Sequence, residues 1–400
     1  MEKLPQQEYR DRIRRLREVM SRDGTDVFVI YGDEYRRENL RYVCNYWPIF
    51  ERGLLFVGMD RDPVLLASPE CEHLAREMSA WPDIRLVREV GMSYVPEEVE
   101  FTNTRFTTVR DVVSELRAGR KRIKVKVCGF DAMSVVLHDR LRDMISDATI
   151  ENGDAVLYGL RLVKTPNEVE MLREAWRICD AGYKAVLDAD IVGLTEGQAA
   201  AIGEKAAREA GAEHIAFSVF CAGERTNTVV GRPSRRVIRK GDMIMYALAV
   251  QYEGYIASDE WPYVAGGKPD GEQERFISHL VAAEDLGVRS IRAGVVQGEV
   301  VRKIRDYFRE NGLEEYDLYP PIHGNGLAEA ESPYPDEASK AEFVPGIGFN
   351  FDVSLFGHPK VGSNRIEEGF IVTQDGLLTL SKLISSLRER LVGSGRGERR

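Results

Sequence analysis

Four hundred residues exceed what one ordinary hydrophobic core organises, so two domains are the starting expectation. Apolar residues make up 43% and charged residues 30%, which suits a folded globular chain and is too apolar for a disordered one. Acidic residues outnumber basic ones 65 to 55, a formal charge of −10, and this argues against nucleic-acid binding through a generally basic surface.

The chain opens with an amphipathic helix in which Tyr9, Ile13, Leu16 and Met20 recur at three- and four-residue steps among Arg and Glu. The first twenty residues place charges where a secretory signal needs an apolar core, and no later apolar run approaches bilayer-spanning length. Gly24 ends the helix, and residues 26–31 read as a buried strand. Apolar runs at 53–57 and 63–67, a helical stretch at 70–78 and a strand at 124–130 follow. Strands alternating with helices predict an α/β domain over residues 1–155.

Thr165-Pro166-Asn167-Glu168 combines a capping-box spacing with proline at the first helical position, and a long helix through Leu187 follows. A second box, Thr195 to Gln198, opens an alanine-rich helix ending near Gly211. Strands and turns run from Ser218 to Tyr263, helices from Gly271 to Arg292 and Gln297 to Asn311, and strands again from Gly346 to Thr379. Segregated helices and strands predict an α+β domain over 160–392. The Gly/Arg/Ser-rich stretch 393–400 is expected to be a disordered tail. Five cysteines (Cys44, Cys71, Cys128, Cys179, Cys221), an odd number without a CxxC pair, oppose a disulfide framework and a cysteine zinc site. A cytoplasmic protein without membrane or nucleic-acid partners is expected.

Polar residues inside the C-terminal strands carry the chemistry. They fall in four stretches: Gly241-Asp242 through Ser258-Asp259-Glu260, His323-Gly-Asn-Gly326, Phe349-Asn-Phe-Asp352, and Asn364-Arg365-Ile366-Glu367. An Asp between Phe351 and Val353 is costly to bury without a charged or hydrogen-bonding partner. The alternative is that Asp352 faces water on a half-exposed strand.

These stretches, in this order and spacing, resemble the pita-bread superfamily of methionine aminopeptidase, Xaa-Pro aminopeptidase, prolidase and creatinase. The resemblance extends over nearly the whole chain, through residues 161–170, Lys240-Gly241-Asp242 and Val344-Pro345-Gly346. It implies an α/β N-terminal domain followed by an α+β pita-bread domain, and a homodimer. The family's metallopeptidases hold two divalent ions with two Asp, one His and two Glu. Those positions match Ala247, Ser258, His323, Asp352 and Glu367, so a dinuclear centre is not expected here. No cofactor is expected, or at most one divalent ion on His323, Asp352 and Glu367, an acceptable ligand set for a borderline metal.

Creatinase has this fold without metal, and the resemblance to it places a functional Glu at Glu260. Metal-free C–N hydrolysis needs a base and a group that holds the nitrogen. The resemblance assigns catalysis to His323, as base or proton shuttle, with Glu260, Asp352 and Glu367. Substrate contacts are expected from Asp259 and Trp261 beside Glu260, from His214, and from Phe50 and Arg52, where creatinase offers an aromatic residue and an Arg. Creatinase's catalytic His falls at Gly231 and the Arg after its Glu is Trp261, which opposes creatine as substrate. The basic run Arg232 to Lys240 reads as a solvated hairpin. The leading expectation is a hydrolase of a small amide, amidine or peptide-like C–N bond without a dinuclear centre. A Xaa-Pro-type metallopeptidase and a catalytically silent binding protein are the alternatives.

Overall fold

The structure, a computed structural model, describes residues 3–92, 99–117 and 119–397. Its contacts divide the chain between Arg161 and Leu162, where a boundary at 155–160 was expected.

In the first unit, helix α1 (Gln6–Asp23) buries Tyr9, Ile13, Leu16 and Met20, and Gly24 ends it in the left-handed region at φ 66°. There follow β1 (Val27–Asp33), α2 (Glu38–Cys44), β2 (Arg52–Gly58), β3 (Val64–Ala67), α3 (Glu72–Met78) and β4 (Ile84–Leu86). Helix α4 (Val109–Leu116), β5 (Ile123–Cys128), α5 (Val135–Met144), β6 (Ala148–Asn152) and α6 (Asp154–Leu162) complete it. Among the described residues six strands form one mixed sheet in the order β4-β3-β2-β1-β5-β6. Val27, Val29 and Tyr31 of its central strand bury one face against Val112 and Leu116 of α4 and Leu137 and Leu141 of α5.

The second unit opens with α7 (Pro166–Leu187) and α8 (Glu196–Glu209), both started by reciprocal capping boxes: Thr165 with Glu168, and Thr195 with Gln198. Glu168 also accepts from Tyr255 Oη at 3.1 Å, which ties the start of α7 to the sheet. Strands β7 (His214–Ala222), β8 (Met243–Tyr252), β9 (Tyr255–Glu260) and β10 (Tyr263–Val264) precede α9 (Gly271–Ser290) and α10 (Gln297–Glu310). Then come β11 (Ile322–Gly324), β12 (Gly348–His358), β13 (Gly362–Val372), β14 (Leu377–Thr379) and α11 (Lys382–Gly397). The strands pair antiparallel in the order β10-β8-β9-β13-β12-β11, with β7 on β8 and β14 on β13.

Register sets out the site before any side chain is considered. Ala247 lies opposite Glu260, Glu260 opposite Glu367, and Glu367 opposite Asp352. A row of four residues therefore crosses β8, β9, β13 and β12. Because side chains alternate along a strand, the intervening residues face the other way. There Glu368 meets Arg388 of α11, and Phe351 packs at Gly287 of α9, where a Cβ would lie 2.7 Å from its ring.

A disordered tail was expected from residue 393 onward. Helix α11 runs on through 393–397, since glycine and serine at a helix end only weaken it and no proline stops it. Residues 398–400 lie outside those described.

The two capping boxes give the fold its first test. Thr165→Ala should lower unfolding stability by about 1 kcal/mol, read as a shifted denaturant midpoint at unchanged slope. An unchanged midpoint would mean the box contributes nothing to the start of α7.

Candidate active site

Strands β9, β13, β12 and β11 deliver Ser258 and Glu260, Arg365 and Glu367, Asn350 and Asp352, and His323. The segment after β11 adds Glu329. His323, Glu329, Asp352, Arg365 and Glu367 line a cavity of about 930 Å³, together with Phe217 of β7, among others. Asp352 is 5% exposed, so the half-exposed alternative does not hold.

The polar groups form two linked clusters. In the first, Arg365 Nε lies 2.6 Å from Glu260 Oε2, and Arg365 Nη1 lies 3.2 Å from Asp352 Oδ2. Tyr319 Oη donates to the same Asp352 oxygen at 3.0 Å and accepts from Arg365 Nη1 at 2.5 Å. One guanidinium thus serves two buried carboxyls. Burial pushes Glu260 up to about 8 although Arg365 opposes it, and raises Asp352 against the same cation. Among the described residues Asp352 Oδ1 has no hydrogen-bond partner.

The second cluster centres on His323. Its Nε2 lies 3.4 Å from Glu367 Oε1 and 3.7 Å from Glu329 Oε1, while Nδ1 lies 3.1 Å from the Gly324 carbonyl. Glu367 accepts from Ser258 Oγ at 2.9 Å and from Asn350 Nδ2 at 2.7 Å, and Asn325 Nδ2 donates to Asn350 Oδ1 at 2.6 Å. Burial works against the His323 charge, but Glu329, Glu367 and Asp352 outweigh it and lift the imidazole to about 10. Burial likewise raises Glu329 to about 7, against the pull of His323. Glu367 is held below the usual carboxylate range, because His323, Arg365 and Asn350 together offset its burial.

The four residues assigned to catalysis divide. His323, Asp352 and Glu367 share the cavity, whereas Glu260 is fully buried and is not among the residues lining it. The guanidinium of Arg365 stands beside it and takes up its charge. Asp259 faces away, as alternation along β9 requires, and is fully buried beside Asp180 of α7 rather than at the cavity. Trp261 is buried with its backbone amide donating to Tyr183 Oη at 2.7 Å, and His214 opens β7 opposite Gln251. Neither lines the cavity. Phe50, exposed and at φ 61°, and Arg52, at the start of β2, belong to the first unit. Arg232, exposed like Arg235, Arg239 and Lys240 of the same run, also lines the cavity.

Three residues escaped the sequence reading of the site. Arg365 was legible, since it lies two positions before Glu367 on the same face of one strand. Tyr319 and Glu329 come from loops, for which no periodicity speaks. Glu329 also corrects the single-ion set: among the described residues the ligand atoms that gather within 4.8 Å of one another belong to His323, Glu329 and Glu367. Asp352 is outside that group; Arg365 and Tyr319 engage one of its oxygens.

Two divalent ions do not fit this row. They require bridging carboxylates, and Ala247 and Ser258 supply none. The Arg365 guanidinium already occupies the space between Glu260 and Asp352 as their cation.

The profile of Metallopeptidase family M24 matches residues 170–374, and that of the Creatinase/Prolidase N-terminal domain matches 12–163. The Xaa-Pro dipeptidase of Pyrococcus furiosus is 23% identical over 93% of this chain and 98% of its own length. The probable dipeptidase PepE of Mycobacterium tuberculosis is 30% identical over 56% of this chain and 60% of its own. The X-Pro aminopeptidase from Thermotoga maritima superposes with TM-score 0.79 at 22% identity, covering 93% of this chain and 97% of that one. The α/β N-terminal domain and the α+β pita-bread domain are thereby shown.

Two substitutions test the electrostatics. Arg365→Gln leaves Glu260 and Asp352 buried without their cation, and should cost about 3–5 kcal/mol by chemical denaturation at neutral pH. A loss below about 1 kcal/mol would mean the bridge is dispensable. Asp259 is raised well above its ordinary value by burial and by Asp180, so the folded state keeps a proton that the unfolded chain releases near pH 4. Its contribution to stability is therefore greatest in acid and declines as pH rises from about 4 towards the folded pKa. Asp259→Asn should flatten that decline in thermal melts between pH 4 and 8; an unchanged slope would assign the proton elsewhere.

Proposed function

This chain belongs to metallopeptidase family M24 and is a hydrolase of C–N bonds, and on that footing we propose that it cleaves short peptides, dipeptides of the Xaa-Pro kind being the first class to try. The observation that carries the reading is the convergence of His323, Glu329 and Glu367 in one wall of a cavity of about 930 Å³. Such a volume lies within the range of small-ligand pockets and accommodates a dipeptide.

Hydrolysis of an amide needs a group that takes a proton from water and a route that returns it to the departing nitrogen. The three side chains provide this chemistry at the cavity wall, His323 and Glu367 buried and Glu329 partly exposed. Asp352 Oδ1, without a hydrogen-bond partner among the described residues, offers an acceptor to the cationic amino end of a dipeptide. Arg232 in the same wall suits its carboxylate.

Two findings favour a peptide over the creatinase-like small amide. The Pyrococcus furiosus and Thermotoga maritima relatives are named for X-Pro substrates. The Glu260 carboxylate, to which creatinase-like chemistry assigns a functional role, is paired with Arg365 and does not line the cavity.

The purified chain should release free amino acids from Xaa-Pro dipeptides, followed by chromatography, in preference to creatine or simple amides. His323→Ala and Glu329→Gln should each lower turnover by about 10²–10⁴ while far-ultraviolet circular dichroism stays native. Turnover of amides or amidines with no dipeptide cleaved would return the reading to the creatinase-like one.

A further inference from the structure

We propose that His323, Glu329 and Glu367 form a mononuclear site for one borderline divalent cation such as Zn²⁺ or Mn²⁺, with Glu329 as a ligand that stands at none of the five positions of the dinuclear set. The inference deepens the hydrolytic reading of the cavity, and rests on it for the use of the ion but not for its binding.

Three ligand atoms about 2.0–2.2 Å from one tetrahedral ion lie about 3.4 Å from each other. His323 Nε2 stands 3.4 Å from Glu367 Oε1 and 3.7 Å from Glu329 Oε1, close to this spacing, and the ligand atoms of all three residues lie within 4.8 Å of one another.

The tautomer points the same way. A neutral imidazole whose Nδ1–H donates to the Gly324 carbonyl, 3.1 Å away, carries its lone pair on Nε2. Without an ion His323 is charged and its Nε2–H faces the two carboxylate oxygens; an ion takes the place of that proton, and a metal-binding His characteristically gives its other nitrogen to a backbone carbonyl in this manner.

The surroundings support a ligand role. Asn350 and Ser258 each donate to Glu367, and Asn325 fixes Asn350, so this carboxylate is oriented by groups that would not themselves bind the ion. Such outer partners hold the geometry of metal ligands. Asp352, in the same wall and more than nine-tenths buried, adds negative potential through an oxygen that has no hydrogen-bond partner among the described residues. Glu329 is only partly buried, which leaves one side of the group open to water or substrate. One nitrogen and two carboxylates suit Zn²⁺, Mn²⁺ or Co²⁺.

The test is equilibrium dialysis of the chelator-treated full chain against ZnCl₂ and, separately, MnCl₂, with elemental analysis. One ion per chain is expected for at least one of them, with at least about tenfold weaker binding in Glu329→Gln and in His323→Ala. Asp352→Asn should still bind one ion. Co²⁺ should give a visible absorption band that Glu329→Gln loses, and thermal melts of each variant verify that it is folded.

No stoichiometric ion, or two ions per chain, overturns the proposal. So does binding that survives Glu329→Gln and disappears in Asp352→Asn. One ion bound without peptide cleavage upholds the site and removes the peptidase reading. Full peptide cleavage by protein that binds no ion does the reverse.

Discussion

Arg365 is the constraint on which the rest of the site depends. Its guanidinium joins β13 to Glu260 on β9 and to Asp352 on β12, so one buried cation holds three adjacent strands by charge as well as by backbone hydrogen bonds. Two buried carboxylates on one face of a sheet would repel each other and would lose hydration that nothing replaced. With Arg365 between them they become a fixed network, and Tyr319 closes it. The same network divides the chemistry. Glu260 and one oxygen of Asp352 are committed to structure, whereas His323, Glu329 and Glu367 remain within reach of the cavity.

The opposite face repeats the problem of buried acids and solves it differently. Asp259 and Asp180 lie together beneath α11, whose first turn donates backbone amides to Asp180 at 3.0 and 3.2 Å. Glu368 and Glu284 lie together beside Arg388, with Arg388 Nε 2.5 Å from Glu368. Burial raises both members of each pair, so shared protons do there part of what Arg365 does on the cavity side. The chain thus invests buried charge on both faces of β9 and β13, and on the cavity side His323 joins it.

Local chemistry made much of this legible from the sequence. The boxes at Thr165 and Thr195 are complete within four residues, so the starts of α7 and α8 required no tertiary information. Alternation along β9 likewise separates Asp259 from Ser258 and Glu260. What could not be read was depth. Sequence spacing places Glu260 on the cavity face but does not reveal that Arg365 takes up its charge, because that depends on the register between β9 and β13. Glu329 was missed because a loop side chain has no period to announce its direction.

The position of Glu329 follows from how its loop is anchored. Glu331, two residues on, meets Lys164 Nζ at 2.8 Å with both side chains buried, so the segment is tied to the start of the second unit's own chain. A buried pair of this kind adds little net stability but fixes where its residues stand. Gly324 and Gly326 permit the close packing this requires: a Cβ on Gly324 would lie 2.1 Å from the Ser332 carbonyl oxygen, and one on Gly326 would lie 2.5 Å from the Glu331 carboxylate. The backbone contact at 324 admits only glycine, and with it the chain leaves β11 and doubles back against itself within eight residues, the distance over which Gly324 pairs with Glu331. His323 at the start of that turn and Glu329 near its end are thereby brought to the same side. The His-Gly-Asn-Gly stretch earns its glycines as the tight hinge that sets a carboxylate against an imidazole, rather than as a phosphate-binding loop.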